Sequence, residues 1–370
     1  MDFAFTQEQD ELRKMVRDVL TDVSAEEDVR RLMETEDGYE ATTWRQLAEL
    51  GLTGLAIAEE HGGAGMSAVE VGVVAEEAGR SLLCAPFLST VGLATPVLQH
   101  SGDTEAAAAY LPGIASGELT ATVALTEANG SADPKAGTTT AAQDGSEWKI
   151  SGQKTYVLDG HTAGLILVAA KTGDALSLFA VDGEATGLTR TALPTLDLTR
   201  KQAQLDFDGV PARLIGAEGG ADPGLARALD LAVITLAAEQ VGGAQKALDM
   251  AVEYAKVRHQ FGRPIGSFQA IKHMCADMLL EVESARSAAY YGLWASAELA
   301  EDLPVVASLA KSYCSEAYSH VTSKNIQVHG GIGFTWEHPA HLYFKRARSS
   351  QELLGSPSYH REQLAQRIGI

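Results

Sequence analysis

Residues 202–233 read QAQLDFDGVPARLIGAEGGADPGLARALDLAV, and the character of the chain changes within this stretch. Up to about residue 215 the text is strand-like, with apolar and polar residues alternating. At Asp222-Pro223 a helix begins, because Asp suits the N-cap and Pro suits the first helical turn. A strand-rich segment therefore gives way to a helical one.

Upstream of this point, strand-like runs separated by Gly, Asp, Asn, Ser and Thr extend back to about residue 119. They are TATVALT, EWKIS, KTYVLD, LILVAA, LSLFAV and QAQLDF. Their spacing of roughly ten residues predicts an antiparallel barrel or sandwich. Before residue 119 the pattern is helical: Thr6 and Gln9 have capping-box spacing, and further helices are expected around 44–51 and 67–80.

Downstream, helical segments are expected at about 223–259, 267–300 and 304–328, with a shorter one from about 337. Long helices joined by short loops are typical of a bundle. The predicted fold is mostly α with a β domain: an N-terminal helical domain over 1–117, a middle antiparallel β domain over 118–216 and a C-terminal four-helix bundle over 217–370.

The chain has 370 residues and a net charge of −20, from 29 basic and 49 acidic residues. This balance argues against binding to nucleic acid or to an anionic membrane surface. Cys84, Cys275 and Cys314 form no CxxC pair, so neither a disulfide framework nor a metal site is expected. Without a signal peptide or a long apolar run, a cytoplasmic location is expected.

The chain contains no HExxH, GxSxG or P-loop motif. Four other segments stand out together. They are Leu125–Asp133 (LTEANGSAD), Gly152–Gly160 (GQKTYVLDG), Arg258–Gly266 (RHQFGRPIG) and Gln327–Phe334 (QVHGGIGF).

In this order and layout, the segments resemble the acyl-CoA dehydrogenase family, and the resemblance covers essentially all 370 residues, including the opening MDFAFTQEQ. It implies a helix–β–helix fold with non-covalently bound FAD. The implied reaction removes the α-proton and β-hydride of an acyl-CoA thioester and leaves a trans-2-enoyl product. Electrons would pass to an electron-transferring flavoprotein, and the chain would belong to a tetramer.

The resemblance also implies FAD contacts. Arg258 and Phe261 would reach the FAD of a neighbouring subunit, and Gln327, Gly330 and Gly331 would contact its adenosine and diphosphate end. The full expected set is Leu125, Thr126, Ser131, Tyr156, Leu158, Arg258, Phe261, Gln269, Gln327, Gly330 and Gly331.

Two flavin-facing positions depart from the family pattern. Ala128 replaces a proline, and the Gly130-Ser131 pair separately stands one residue earlier than in the family pattern. Leu158 replaces a threonine that donates to flavin N5.

A further departure concerns the catalytic base, which must be a carboxylate within reach of the α-proton. The usual base position aligns with Leu354, and a second location known in the family aligns with Ala232. Glu352 and Glu239 are the remaining candidates. The backbone N–H at position 354, which helps to hold the thioester oxygen in the family, is retained.

Three hypotheses stay open. The chain could be an acyl-CoA dehydrogenase in its own right. It could instead be a base-less subunit that completes the FAD site of a catalytic homologue in an α2β2 tetramer, as in sterol side-chain breakdown. A third possibility is another flavin-dependent oxidation of a carrier-bound thioester.

Overall fold

The structure is a computed structural model that describes residues 5–370. Residues 1–4, where the MDFAFTQEQ opening starts, lie outside it. The helices are α1 (Gln7–Val23), α2 (Glu26–Leu32), α3 (Ala41–Glu49), α4 (Ala68–Ser81), α5 (Thr95–His100), α6 (Thr104–Ala115), α7 (Asp222–Val257), α8 (Gln269–Glu298), α9 (Leu303–His329), α10 (Ala340–Glu352) and α11 (Pro357–Arg367). A π-helical segment, Leu88–Ala94, leads into α5.

The predicted helix starts are confirmed at two places. At α1 the Gln9 amide donates to Thr6 Oγ1 at 3.2 Å and the Thr6 amide donates to Gln9 Oε1 at 3.0 Å, which completes the capping box. At the strand-to-helix change, α7 begins at Asp222. The α1 start follows from side chains that satisfy amides lacking a partner in the first helical turn. At α7, Asp222 was expected as the N-cap but is the first helical residue, and its carboxylate pairs with Lys135 Nζ at 2.8 Å.

The strands are β1 (Ala121–Ala124), β2 (Thr140–Asp144), β3 (Glu147–Leu158), β4 (Leu165–Thr172), β5 (Ala175–Asp182), β6 (Leu188–Ala192), β7 (Gln202–Ile215), β8 (His259–Gln260) and β9 (Arg263–Pro264). Strands β2, β3, β7, β5 and β4 pair in a closed circuit, with β1 added to β4 and β6 added to β7. The circuit is a small barrel, one of the two arrangements that the spacing predicted.

The sheet is mostly antiparallel, but β1 runs parallel to β4, with Ala121 opposite Leu165. The runs EWKIS and KTYVLD, expected as separate strands, form the single strand β3. Its pairing with β7 is irregular between Lys154 and Val157. A β-bulge of this kind bends a strand and redirects its side chains.

The chain forms two compact units. The sheet unit comprises Arg31–Val71 and Cys84–Ala232, and the helical unit comprises the chain up to Arg30, Gly72–Leu83 and Val233–Ile370. The three-domain boundaries stay a prediction, since each unit is assembled from separate stretches of sequence.

Each unit has its own apolar core. In the sheet unit, inward-facing residues of the barrel strands surround Phe179, which is fully buried. In the helical unit, alanines of α7 pack with Met278, Val282 and Val321 of α8 and α9. The small side chains let the helices approach closely. Within residues 5–370, no helix combines the length and the apolar character needed to cross a membrane.

Candidate active site

The turn that follows β1 is anchored to strand β3 inside the sheet unit. The Thr155 amide donates to the Thr126 carbonyl at 2.9 Å. Beside it, Lys154 Nζ donates to Glu127 Oε1 at 2.9 Å and to the Leu125 carbonyl at 2.9 Å. Two of the four predicted segments are thus brought together.

Glu127 is the charged centre of this turn, and it is buried. Burial alone would raise its pKa, but the amides of Thr139 and Thr138 and the ammonium of Lys154 donate to the carboxylate. These donors hold the pKa of Glu127 at about 2. Hydrogen bonds to the ionised form have this effect even in a desolvated place.

The other predicted residues of the sheet unit are placed as follows. Tyr156 has a φ of +57° and is 52% exposed at the bulge of β3, whereas Leu158 is buried. Thr126 is partly exposed, and its hydroxyl has no hydrogen-bond partner among residues 5–370. The Ser131 hydroxyl is used inside its own turn, where it accepts from the Asp133 amide at 3.2 Å.

In the helical unit, α7 ends at Val257 and a two-stranded hairpin, β8–β9, follows. Phe261 lies at its tip with a φ of +53° and is 92% exposed. The Arg258 side chain is exposed and makes neither an ion pair nor a hydrogen bond to any residue of the described chain. Both side chains therefore project outward and are available to a ligand or a second subunit.

The end of α9 lies at the same end of the helical unit as Arg258. Tyr254, one turn before Arg258, stacks on His329 with ring centroids 4.3 Å apart. Gly330 follows with a φ of +65°, and a Cβ built at Gly330 or Gly331 would meet no atom within 4 Å. Open backbone near an unpaired guanidinium suits a diphosphate, so these residues fit the FAD that the resemblance implies.

Two further predicted FAD residues are also exposed in the helical unit. Gln269 is the first residue of α8, and its Nε2 lies 3.5 Å from His273 Nε2. Gln327 is in the last turn of α9. Their roles stay predictions.

The usual base position lies in the turn between α10 and α11. Leu354 occupies it with a φ of +57°, in the left-handed region that few residues other than glycine adopt. Glu352 is the last residue of α10 and is exposed. Its carboxylate is therefore free to approach a substrate at this turn.

Glu239, the other candidate base, has a different environment. It is buried on α7, and Arg346 Nη1 of α10 donates to its Oε1 at 3.3 Å. The backbone of Glu239 packs closely against α4, where a Cβ at Gly79 would lie 1.9 Å from the Glu239 carbonyl oxygen. Ala232, at the second base location, is fully buried. A carboxylate held by a buried guanidinium is suited to a structural role.

A cavity of about 820 Å³ in the helical unit borders the Tyr254–His329 stack. It is lined by parts of α1, α4, α7 and α10 and includes Tyr254 and His329. The predicted base and FAD residues do not line it, so it receives no role here. Within residues 5–370, His, Cys, Asp and Glu side chains form no group of three or more that could hold a metal ion.

Sequence reasoning missed the buried polar residues that hold the two turns in place. In the sheet unit these are Glu127 and Lys154. In the helical unit Lys311, Gln240 and His360 surround the Leu354 turn. One signal was available: Lys311 interrupts the apolar run VVASLAKSYC on α9, where a charged residue is unexpected.

Comparison with known proteins covers nearly the whole chain. Family models match residues 6–118 as an acyl-CoA dehydrogenase N-terminal domain, 122–210 as the middle domain and 225–369 as the C-terminal domain. The acyl-CoA dehydrogenase IpdE2 of Mycolicibacterium smegmatis is 37% identical over 360 residues, which is 97% of this chain and 97% of that protein.

Solved structures agree with this. A variant of the Tcur3481-Tcur3483 steroid ACAD superposes with a TM-score of 0.89 at 34% identity, covering 98% of both chains. The ChsE4-ChsE5 complex from Mycobacterium tuberculosis gives 0.91 at 29% identity, covering 100% of this chain and 99% of the other. The expected fold class is confirmed, and FAD is the cofactor of this class of protein. The chain belongs to the acyl-CoA dehydrogenase family.

Proposed function

We propose that this chain takes part in the FAD-dependent α,β-dehydrogenation of an acyl-CoA thioester to the trans-2-enoyl-CoA. The observation that supports this most is the grouping of Arg258, Gly330 and Gly331 at one end of the helical unit through the Tyr254–His329 stack. An exposed cation and open backbone are the features needed to bind the diphosphate of FAD. In this proposal the electrons removed from the substrate finally pass to an electron-transferring flavoprotein.

Bound FAD supplies the acceptor for the β-hydride of the substrate. The chain's own residues have the other tasks. Arg258 and the open glycines bind phosphate oxygens, and Phe261 covers the cofactor of a neighbouring subunit. In the sheet unit, the Thr126 hydroxyl is available to hydrogen-bond the flavin ring edge, on a turn fixed by the buried Glu127–Lys154 pair.

The α-proton needs a carboxylate, and we assign this role to Glu352. Its side chain is exposed and stands two residues before Leu354, at the turn where the family places its base. We do not assign this role to Glu239, because its carboxylate is already paired with Arg346 in a buried ion pair. The proposed substrate is a fatty acyl-CoA or a sterol-type acyl-CoA. The proposed location is the cytoplasm.

A second function is favoured by one specific observation. Leu354 stands where a glutamate would act, while the residues expected to reach a neighbouring subunit, Arg258 and Phe261, are exposed. This combination suits a base-less subunit that completes the FAD site of a catalytic homologue. Two similar structures are named as two-component proteins, Tcur3481-Tcur3483 and ChsE4-ChsE5.

Purification of the chain alone separates these functions. A yellow protein with about one FAD per chain, bleached when acyl-CoA is added, supports the first function. A colourless chain that acquires flavin only when co-expressed with a second dehydrogenase-like chain supports the other. No flavin in either preparation contradicts both.

A further inference from the structure

The turn between α10 and α11 keeps a strained conformation although its glutamate is absent. Leu354 has a φ of +57°, and the next residue, Gly355, has a φ of +108°. Left-handed backbone at a branched apolar residue persists only where its surroundings enforce it. Within residues 5–370 the Leu354 amide N–H has no hydrogen-bond acceptor, so it remains available to a ligand.

Buried donors hold the start of this turn. Lys311 of α9 is fully buried, and its Nζ donates to the carbonyls of Ser350 and Gln351 at 3.1 and 3.0 Å. Gln240 of α7, also fully buried, donates from Nε2 to the same Ser350 carbonyl at 3.3 Å. Both side chains also contact Ser315 Oγ at 3.0 Å. Two helices thus fix the last carbonyls of α10.

A third donor holds the other end of the turn. His360 of α11 is buried, and its Nε2 donates to the Leu354 carbonyl at 2.9 Å. Burial lowers the pKa of His360 to about 4, so the ring is neutral at pH 7 and carries its proton on Nε2. Gly355 fits beneath this ring, since a Cβ there would lie 3.0 Å from His360 Nε2.

Burying a lysine to hold these carbonyls costs more free energy than the end of a helix ordinarily requires. Solvent or one glycine usually satisfies the last carbonyls of a helix. Here a lysine is desolvated instead, and the carboxylate that most favours its charge, Glu352, is itself exposed. Burial lowers the pKa of Lys311 to about 7, so desolvation disfavours its charged form although Nζ has three close hydrogen-bond acceptors.

We propose that Lys311 is a positioning residue for the substrate: with Gln240 and His360 it sets the Leu354 turn so that the Leu354 amide donates to the thioester carbonyl oxygen of acyl-CoA. This inference rests on the first proposed function. A hydrogen bond to that oxygen stabilises the negative charge that develops there when the α-proton leaves. The contribution is independent of which carboxylate removes the proton.

The test compares two classes of ligand on the FAD-loaded protein. Butyryl-, octanoyl-, palmitoyl- and a steroid side-chain acyl-CoA carry the carbonyl, and the matching CoA thioethers lack it. For Lys311→Met, we expect a loss of about tenfold in thioester affinity and no change in thioether affinity, the size of one lost neutral hydrogen bond. Lys324→Met on the same helix is the matched control.

A spectroscopic measurement reports directly on the hydrogen bond between the Leu354 amide and the thioester carbonyl oxygen. The infrared band of an isotopically labelled thioester carbonyl shifts to lower frequency when the oxygen accepts a strong hydrogen bond. In Lys311→Met this band is expected to move back toward its position in water. If Lys311→Met does not fold, Gln240→Leu, which removes one donor and no charge, replaces it with the same expectation.

The outcomes are distinguishable. Equal weakening of thioester and thioether, or an unmoved carbonyl band in the folded variants, overturns the positioning role and leaves the proposed function standing. A wild-type protein that binds neither class of ligand overturns the first proposed function and this inference with it.

Discussion

Lys154 Nζ lies 2.9 Å from Glu127 Oε1, and both side chains are buried in the sheet unit. The pair joins the turn after β1 to the bulged strand β3, the two segments that present Thr126 and Tyr156. A buried pair is stabilising only when its remaining hydrogen-bonding groups are satisfied. Here the amides of Thr138 and Thr139 and the Leu125 carbonyl satisfy them.

The Glu127 carboxylate predicts an acid-sensitive sheet unit. Its pKa is about 2 in the folded chain against an ordinary 4.5, so between these values the unfolded chain binds more protons. The free energy of unfolding should therefore fall as the pH drops from about 4.5 to about 2. In Glu127→Gln that slope should be shallower, and stability at pH 7 should be lower because the buried Lys154 loses its carboxylate partner. Urea unfolding at several pH values measures both.

The control for this experiment is Glu147→Gln, which changes an exposed glutamate at the start of β3, the strand that carries Lys154. Its acid slope should match that of the wild type. Equal slopes for Glu127→Gln and Glu147→Gln would show that Glu127 does not carry the acid sensitivity.

The Glu239–Arg346 pair predicts a stability defect. Glu239→Gln leaves the fully enclosed Arg346 guanidinium without its carboxylate, and such losses cost about 3–5 kcal/mol. We expect a clear drop in the denaturation midpoint. The flavin-reduction rate of the protein that remains folded should change little. A normal midpoint combined with a ~10²-fold slower reduction would instead make Glu239 the base.

Arg258 predicts a defect in cofactor retention without a defect in folding. The guanidinium is exposed and unpaired in the described chain, so Arg258→Gln should leave the free energy of unfolding within about 0.5 kcal/mol of the wild type. Loss of a bidentate phosphate contact should weaken FAD binding by at least about tenfold. Arg45→Gln, an equal change of charge at an exposed residue of α3, should retain FAD. Absorbance after dialysis measures the retained flavin.

The sequence predicted the fold well because the signals it relies on are local. The alternation before residue 215, the Asp222-Pro223 helix start and the Thr6–Gln9 capping box each depend on neighbouring residues, and each is confirmed. The parallel β1–β4 pairing and the bulge that merges two runs into β3 were not predicted. They depend on which distant strands meet, and the pattern within one strand does not record this.

The residues of the candidate site also fall into two groups: those that local motifs predicted and those that depend on contacts between distant parts of the chain. Exposed Arg258 and the open Gly330–Gly331 backbone follow from motifs at helix ends. The burial of Glu239 against Arg346 joins residues more than a hundred positions apart, and the Lys311 contacts with the end of α10 also cross from one helix to another. No local pattern distinguishes a glutamate that faces substrate from one that faces an arginine.

The spacing between Glu352 and Leu354 permits a test by relocation of the base. Glu352→Gln should slow flavin reduction by acyl-CoA at least ~10²-fold, the usual contribution of a positioned base. Its unfolding midpoint should stay near the wild-type value, because the side chain is exposed.

Adding Leu354→Glu returns a carboxylate to the position where the family carries it, on a turn held by Lys311 and His360. The double variant should therefore recover most of the lost rate in stopped-flow measurements at 450 nm (about the flavin absorbance maximum), whereas Glu352→Gln with Leu354→Gln should not. Unchanged reduction in Glu352→Gln would contradict its role as base. A wild-type chain that does not reduce flavin but gains the reaction in Leu354→Glu would show that the chain lacks a base and that position 354 can supply one.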